Sequence, residues 1–318
     1  MTGGELLMAS TLDAMCGDPR RFPHPVRVIG RCIAWLDQRV RMICRSGTSL
    51  RVAGIGLAGG LPIMTYCIGA VMIEEAEHLA GWLGSALSIG LASTTLAARD
   101  LWDHVRAVDE PLQAGDLPAA RRAVAMIVGR DTAELSESEV ARATVETVSE
   151  SAADGVIAPL LYLAIGGAPL ALAYKAVNTL DSMIGHRDAR YVNFGWASAR
   201  LDDLTNWIPA RIAAILLIVG AGLTTGQLKR VRSGWRVFRR DGSKHPSPNS
   251  GKPEAAMAGI LGLKLGGANF YDGIAQDRPV LGQEGRDAEP RDIMAAAKTM
   301  AAASVLGVFL AAGIRWLV

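Results

Sequence analysis

Residues 52–73 and 79–98 contain no charged side chain, and only five residues separate the two stretches. A helix needs ~20 apolar residues to cross ~30 Å of hydrocarbon, so each stretch is long enough to span a membrane. Three further apolar segments follow. Residues 155–174 are interrupted by Gly166-Gly167-Ala168-Pro169, 207–223 carry Pro209 and Arg211 near their start, and 293–318 carry Lys298 and Arg315. Composition agrees with several spans plus polar loops: 50% of residues are hydrophobic, 20% charged and only 5% aromatic. A mean hydropathy of +0.23 lies above the range of a cytosolic enzyme and below that of a chain that is nearly all membrane. Disorder, collagen and a disulfide scaffold are excluded. The expected fold is all-α: a polytopic integral membrane helical bundle with about five hydrophobic segments and helical cytoplasmic loops. It is read as one domain over 1–318, with residues 99–154 forming a helical cytoplasmic insert.

Loop charge sets the expected orientation. Residues 18–51 hold eight Arg against two Asp, and 226–252 hold eight Lys or Arg against one Asp, so both are expected in the cytoplasm. The acidic 74–78 connection is expected outside. The localisation that follows is the bacterial cytoplasmic (inner) membrane, multi-pass, with the main loops facing the cytoplasm. The N-terminal residues lack a basic region and a clean apolar run, so no signal peptide is expected. Cys16, Cys32, Cys44 and Cys67 have no CxxC spacing and no His partner, and are read as small buried apolar residues. No strand-like alternation of useful length stands out, and no internal repeat. Asp116-Leu117-Pro118 reads as a cap with proline in a first turn. Ser136 and Glu139 form a capping box that opens a helix running to about residue 153.

That helix places Glu146, Glu150 and Asp154 at i, i+4 and i+8, where like charges repel unless a hard cation such as Mg²⁺ bridges them. The alternative is the wet face of an amphipathic helix, because Val140, Thr144, Val145, Val148 and Ala152 form the opposite side. Residues 175–206 are the densest cluster of reactive side chains: Lys175, Asn178, Asp181, Ser182, His186, Arg187, Asp188, Arg190, Arg200, Asp202, Asp203 and Asn206. Arg and Lys suit phosphate or carboxylate recognition, and the Asp pair suits Mg²⁺ or an amine. Several of these residues border apolar stretches, where polar groups tend to be functional. His245-Pro-Ser-Pro-Asn-Ser-Gly-Lys252-Pro-Glu254 leads into a helix and is expected to offer free backbone N–H groups to an anion, with a plain turn as the alternative. It does not match a P-loop. No His pair has metal-ligand spacing, and no nucleophile elbow is present.

GDPRRFPHPVRVIG (17–30), GRDT (129–132), ETVSESAADGVIAPLLY (146–162), KAVNTLDSMIGHRDARYVNFGWASARLDDLTNWIPAR (175–211) and HPSPNSGKPEAAMAGILG (245–262) together resemble the CobD/CbiB family of cobalamin-biosynthesis membrane proteins, the adenosylcobinamide-phosphate synthases. The resemblance covers most of the chain. The family pattern ENTVDG stands here as ESAADG (150–155), which keeps Glu150 and Asp154 but has Ser151 in place of Asn. The resemblance implies ATP- and Mg²⁺-dependent amide ligation of aminopropanol, or its phosphate, to adenosylcobyric acid. Corrinoid, amine donor and lipid bilayer are the expected partners; nucleic acid is not. Physical assignment of the reaction gives Glu146, Glu150, Asp154, Asp202 and Asp203 to metal or amine. Arg130, Lys175, Asn178, Arg187, Arg200, His245, Ser247, Asn249 and Lys252 are assigned to phosphates or substrate, and Asp181 or His186 to the base.

ATP is cytoplasmic, yet five full spans would put 178–206 outside. The Gly166–Pro169 break answers this if it makes a re-entrant pair of half-helices. A transporter and an AmpE-like non-catalytic membrane sensor are the competing readings; broken helices and intramembrane charge fit a carrier, but an inverted repeat is lacking.

Overall fold

The computed structural model describes residues 1–18, 24–186, 188–271 and 273–317. In chain order, the helices are α1 (Gly3–Cys16), α2 (Pro25–Ile43), α3 (Gly47–Leu79), α4 (Gly81–Ser93), α5 (Ala98–Gln113), α6 (Leu117–Val124) and α7 (Glu137–Ser151). A π-helical turn (Ala152–Ile157) joins α7 to α8 (Ala158–Ile184). Then come α9 (Trp196–Thr205), α10 (Trp207–Thr225), α11 (Leu228–Asp241), α12 (Gly251–Leu261), a hairpin of β1 (Leu265–Tyr271) and β2 (Ile274–Leu281), and α13 (Pro290–Leu317). The protein is an all-α membrane protein. Among the described residues, four helical stretches are long and apolar enough to cross a membrane: Gly47–Leu79, Glu137–Ile184, Trp207–Thr225 and Pro290–Leu317.

The second of the five expected segments is not among them. α4 has 13 residues, about 20 Å at 1.5 Å per residue, too short for the hydrocarbon layer. Its end has a local cause. The hydroxyls of Ser93, Thr94 and Thr95 donate to the carbonyls of Gly90, Leu91 and Ala92 at 2.7–2.8 Å. They engage the acceptors on which the next helical turn would build. The interruption expected at Gly166–Pro169 is present: Gly166 (φ −134°, ψ 16°) and Gly167 (φ 66°, ψ −165°) leave helical geometry, the latter in a region that favours glycine. Arg315 covers the broken end, donating to the Ala164 carbonyl at 3.4 Å and the Met1 carbonyl at 2.6 Å, and a cation suits a helix C-terminus.

The chain forms two compact units. The first comprises Met1–Ala97, Pro159–Asn206 and Val308–Val318. Its core gathers Ile29, Ile33, Leu61, Leu180, Ile184 and Phe194. The second comprises Ala98–Ala158 and Trp207–Gly307. Here the 99–154 region does not stand apart as an insert: α7 packs on α12, and the π turn on α10. Side chains of α5–α7 share one apolar cluster with those of α10–α13. Small residues allow this closeness: a Cβ on Gly259 of α12 would sit 2.6 Å from the Ser233 carbonyl oxygen and 2.8 Å from Gly234 Cα.

The hairpin departs from the expectation of no strands. Its strands pair antiparallel, with a register shift between Leu265 and Gly267. The cysteines also differ from expectation: Cys16 and Cys67 are exposed, and Cys32 and Cys44 half-exposed. Cys67 lies on α3, whose apolar window is only 22% buried, as a lipid-facing helix requires.

Candidate functional site

Among the described residues, sequence-predicted site residues gather in one polar cluster in each unit. In the second unit the cluster is built on α7, whose capping box at Ser136 and Glu139 is present as the sequence implies. Glu146 is not on a wet face: it is only 5% exposed. One carboxylate oxygen pairs with Arg130, and the other accepts the Gly266 N–H at 2.7 Å. Arg130 also donates to the Asn269 side-chain oxygen, while Arg142, one turn before Glu146, donates to the carbonyls of Gly266 and Ala268. The hairpin therefore covers the acidic face of α7. Gly266 and Gly267, at φ +86° and +84°, turn both backbone donor and acceptor toward that helix. Asp131 completes the grip, its N–H donating to the Phe270 carbonyl and its carboxylate accepting the Gly273 N–H.

Glu150 lies one turn further along, half-buried, and accepts the Ser250 hydroxyl at 2.7 Å. Glu254 on α12 is 3% exposed. Burial first, then the Glu146 and Glu150 carboxylates, hold Glu254 well above the usual carboxylate range. His245 faces the same carboxylates and Arg278; burial, then Arg278, lowers its pKa. Its Nδ1 accepts the Ser247 N–H at 3.0 Å, which places the neutral ring's proton on Nε2. That Nε2 is buried without a hydrogen-bond partner among the described residues.

The 245–252 loop differs from the expected anion cradle. Ser247 Oγ accepts the N–H groups of both Asn249 and Ser250 at 3.2 Å, so the loop satisfies its own donors. Asn249 is buried. Lys252 turns to Ser243 Oγ (2.7 Å) and the Phe238 ring. Two residues along a helix lie on opposite sides, so Lys252 and Glu254 diverge. Asp154 is half-buried within the π turn, whose slower winding displaces it from the Glu146–Glu150 row.

In the first unit, Asp202 of α9 is half-buried and accepts the Asn206 side-chain N–H at 2.9 Å, with Asn178 also hydrogen-bonded to it. Burial, then the Asp181 carboxylate, raises Asp202 to about 7. Asn206, 1% exposed, in turn accepts the Tyr174 hydroxyl at 2.8 Å. Tyr174 stacks on Tyr162 at 4.8 Å between centroids. Asp203 pairs with the exposed Arg200 at 3.7 Å. Lys175 is half-buried, and His186 is exposed beside Tyr191. Arg187 lies outside the described residues.

A family model described as CobD/Cbib protein matches residues 6–300. The chain belongs to the CobD/Cbib family. Its similarity to curated relatives extends over nearly the full length of each. It is 47% identical to "Cobalamin biosynthesis protein CobD" of Geobacter metallireducens, covering 98% of this chain and 96% of the relative. It is 45% identical to the protein of that name in Klebsiella pneumoniae (98% and 97%). It is 42% identical to "Cobalamin biosynthesis protein CbiB" of Salmonella typhimurium (95% and 94%). No solved structure matches. Family membership gives a role in cobalamin biosynthesis.

The site residues that sequence reasoning left unassigned are those met through the hairpin and α12: Arg142, Glu254, Asn269 and Arg278. A carboxylate in the first turn of a small-residue helix was the available signal for Glu254. Asn269 and Arg278 carried none, since their place depends on strands without clear alternation. Asn206 and Tyr174, which position Asp202, were visible only as polar residues at the ends of apolar segments.

Proposed function

We propose that this CobD/CbiB protein is an ATP-dependent amide ligase that joins aminopropanol, or its phosphate, to the carboxylate of adenosylcobyric acid. A carboxylate is a poor acyl donor. In the proposed first step its oxygen attacks the γ-phosphorus of ATP, and the bond to the β-bridging oxygen breaks, giving acyl phosphate and ADP. In the second, the neutral amine attacks the acyl carbon and phosphate departs; the amine's proton passes to a base.

The observation that carries this reading is the Arg130–Glu146–Glu150–Glu254–His245 cluster around two buried carboxylates, Glu146 and Glu254, which combines carboxylates with cationic and N–H donors. Glu146 has both oxygens engaged, by Arg130 and Gly266. Glu150 and Glu254 are therefore the residues that would hold Mg²⁺, and two carboxylates plus substrate phosphates suit that ion. When bound, Mg²⁺ supplies charge shielding for the triphosphate. Among the described residues no group of three His, Cys, Asp or Glu forms a metal site by itself. Nε2–H of His245 donates to a phosphate or carboxylate oxygen, and Arg130 adds positive charge.

We place the protein in the bacterial inner membrane with its basic loops in the cytoplasm. Ser198 is fully buried, whereas Leu204 is 72% exposed. Labelling of Leu204→Cys in a cysteine-free background therefore reports the sidedness of α9, and reaction from the cytoplasmic side is expected. The test of function is incubation of purified protein with adenosylcobyric acid, aminopropanol phosphate, ATP and Mg²⁺. Amide product that requires ATP supports the reading; substrate uptake into proteoliposomes without turnover removes it in favour of a carrier.

A further inference from the structure

The amphipathic helix α2 takes no part in either cluster, and it presents three distinct sectors. Ile29 and Ile33 are buried in the core of the first unit, and Asp37 beside them pairs with Arg41 and Arg190. Val28, Trp35 and Met42, seven residues apart, form a second apolar row that is 53%, 55% and 61% exposed. At about 100° per residue, Arg31 and Arg27 follow about 60° and 100° to one side of Val28. Arg39 stacks over Trp35 at 5.4 Å. A helix with an outward apolar row bordered by arginines is suited to lie at the level where acyl chains meet headgroups.

Beside this row a groove of about 290 Å³ opens between α2 and α3, lined by Val28, Cys32, Met64, Ile68 and Met72, with Leu172 of α8 at its floor. Its one hydroxyl, on Thr65, donates to the Leu61 carbonyl at 2.8 Å. The lining therefore offers no oxygen or nitrogen partner to a peptide backbone, whose unpaired polar groups are costly in such surroundings. A hydrocarbon chain carries none. Met64, Ile68 and Met72 belong to the exposed face of α3, so the groove is continuous with the surface that the lipid layer covers. We infer that the α2–α3 groove is a binding site for an anionic phospholipid, with one acyl chain in the groove and the headgroup on Arg27, Arg31 and Arg39.

The test uses the full-length protein equilibrated in mixed micelles with equal amounts of phosphatidylglycerol and phosphatidylcholine. Retained lipid is counted by native mass spectrometry. The wild type is expected to retain phosphatidylglycerol preferentially. R27Q/R31Q is expected to lose that preference by about 30-fold, from about 5-fold per arginine near an anionic surface. Cys32→Trp, which fills the groove, is expected to reduce retention of both lipids while circular dichroism shows unchanged helicity. Equal retention of the two lipids by the wild type overturns the inference, as does full retention by Cys32→Trp. Ligase turnover is not a readout in this experiment, so its failure would leave the proposed reaction standing, and the reverse.

Discussion

Removal of Arg130 is the sharpest test of the second unit's construction. Its side chain is 7% exposed and that of Glu146 is 6% exposed, so the pair has little access to water. Arg130→Ala leaves Glu146 charged and buried with only the Gly266 N–H, and takes one donor from Asn269. Breaking a buried pair in this way costs about 3–5 kcal/mol. The surviving backbone hydrogen bond places the expected loss at about 3 kcal/mol. Glu146→Gln keeps an acceptor for Gly266 but removes the charge, so in the double variant Arg130→Ala no longer strands an anion. The two substitutions should therefore couple by about 2–3 kcal/mol. Titration of the four proteins with SDS in mixed micelles, followed by helical circular dichroism, measures each unfolding free energy. Losses that add to within about 0.5 kcal/mol would refute the pairing and the hairpin's place over α7.

Asp202→Asn tests the raised carboxyl of the first unit through the pH dependence of stability. With Asp202 near 7 when folded against an ordinary 3.8, the folded protein holds an extra proton in that interval. Wild-type stability therefore falls as pH rises through the window, and the variant should flatten this slope. An unchanged slope would remove the assignment. Gly266→Ala forces a side chain into positive φ and against the Pro279 carbonyl. It should destabilise the protein by about 1–3 kcal/mol, measured by thermal unfolding, and reduce turnover. Wild-type melting and turnover would show that Gly266 is not needed to reach Glu146.

Sequence reasoning reached furthest where structure is determined locally. The Ser136–Glu139 capping box, the Asp116 cap with Pro118 in the first turn, and the Gly166–Gly167 break are short-range chemistry, and each is present. The limits of such reading are equally physical. α4 ends because three consecutive hydroxyls bond back to its carbonyls, although hydropathy continues to Ala98. β1 has two glycines, and β2 has a proline and is largely exposed, so alternation does not reveal the hairpin. It is held by contacts 120 or more residues away in sequence, from Arg142 and Glu146. The acidic row of α7 was legible as spacing, but its burial was not, because the covering element was the hairpin. Lys252 shows the converse: a cation next to reactive residues in sequence that the helix turns toward Ser243.

The central claim, that ATP activates a corrinoid carboxylate as its acyl phosphate, is tested most directly by oxygen transfer. Adenosylcobyric acid with heavy oxygen in its carboxylate is converted in the presence of amine, ATP and Mg²⁺, and the released phosphate is analysed by mass spectrometry. One heavy oxygen per amide formed, carried in inorganic phosphate, is the predicted result. Amide formation with unlabelled phosphate would contradict it.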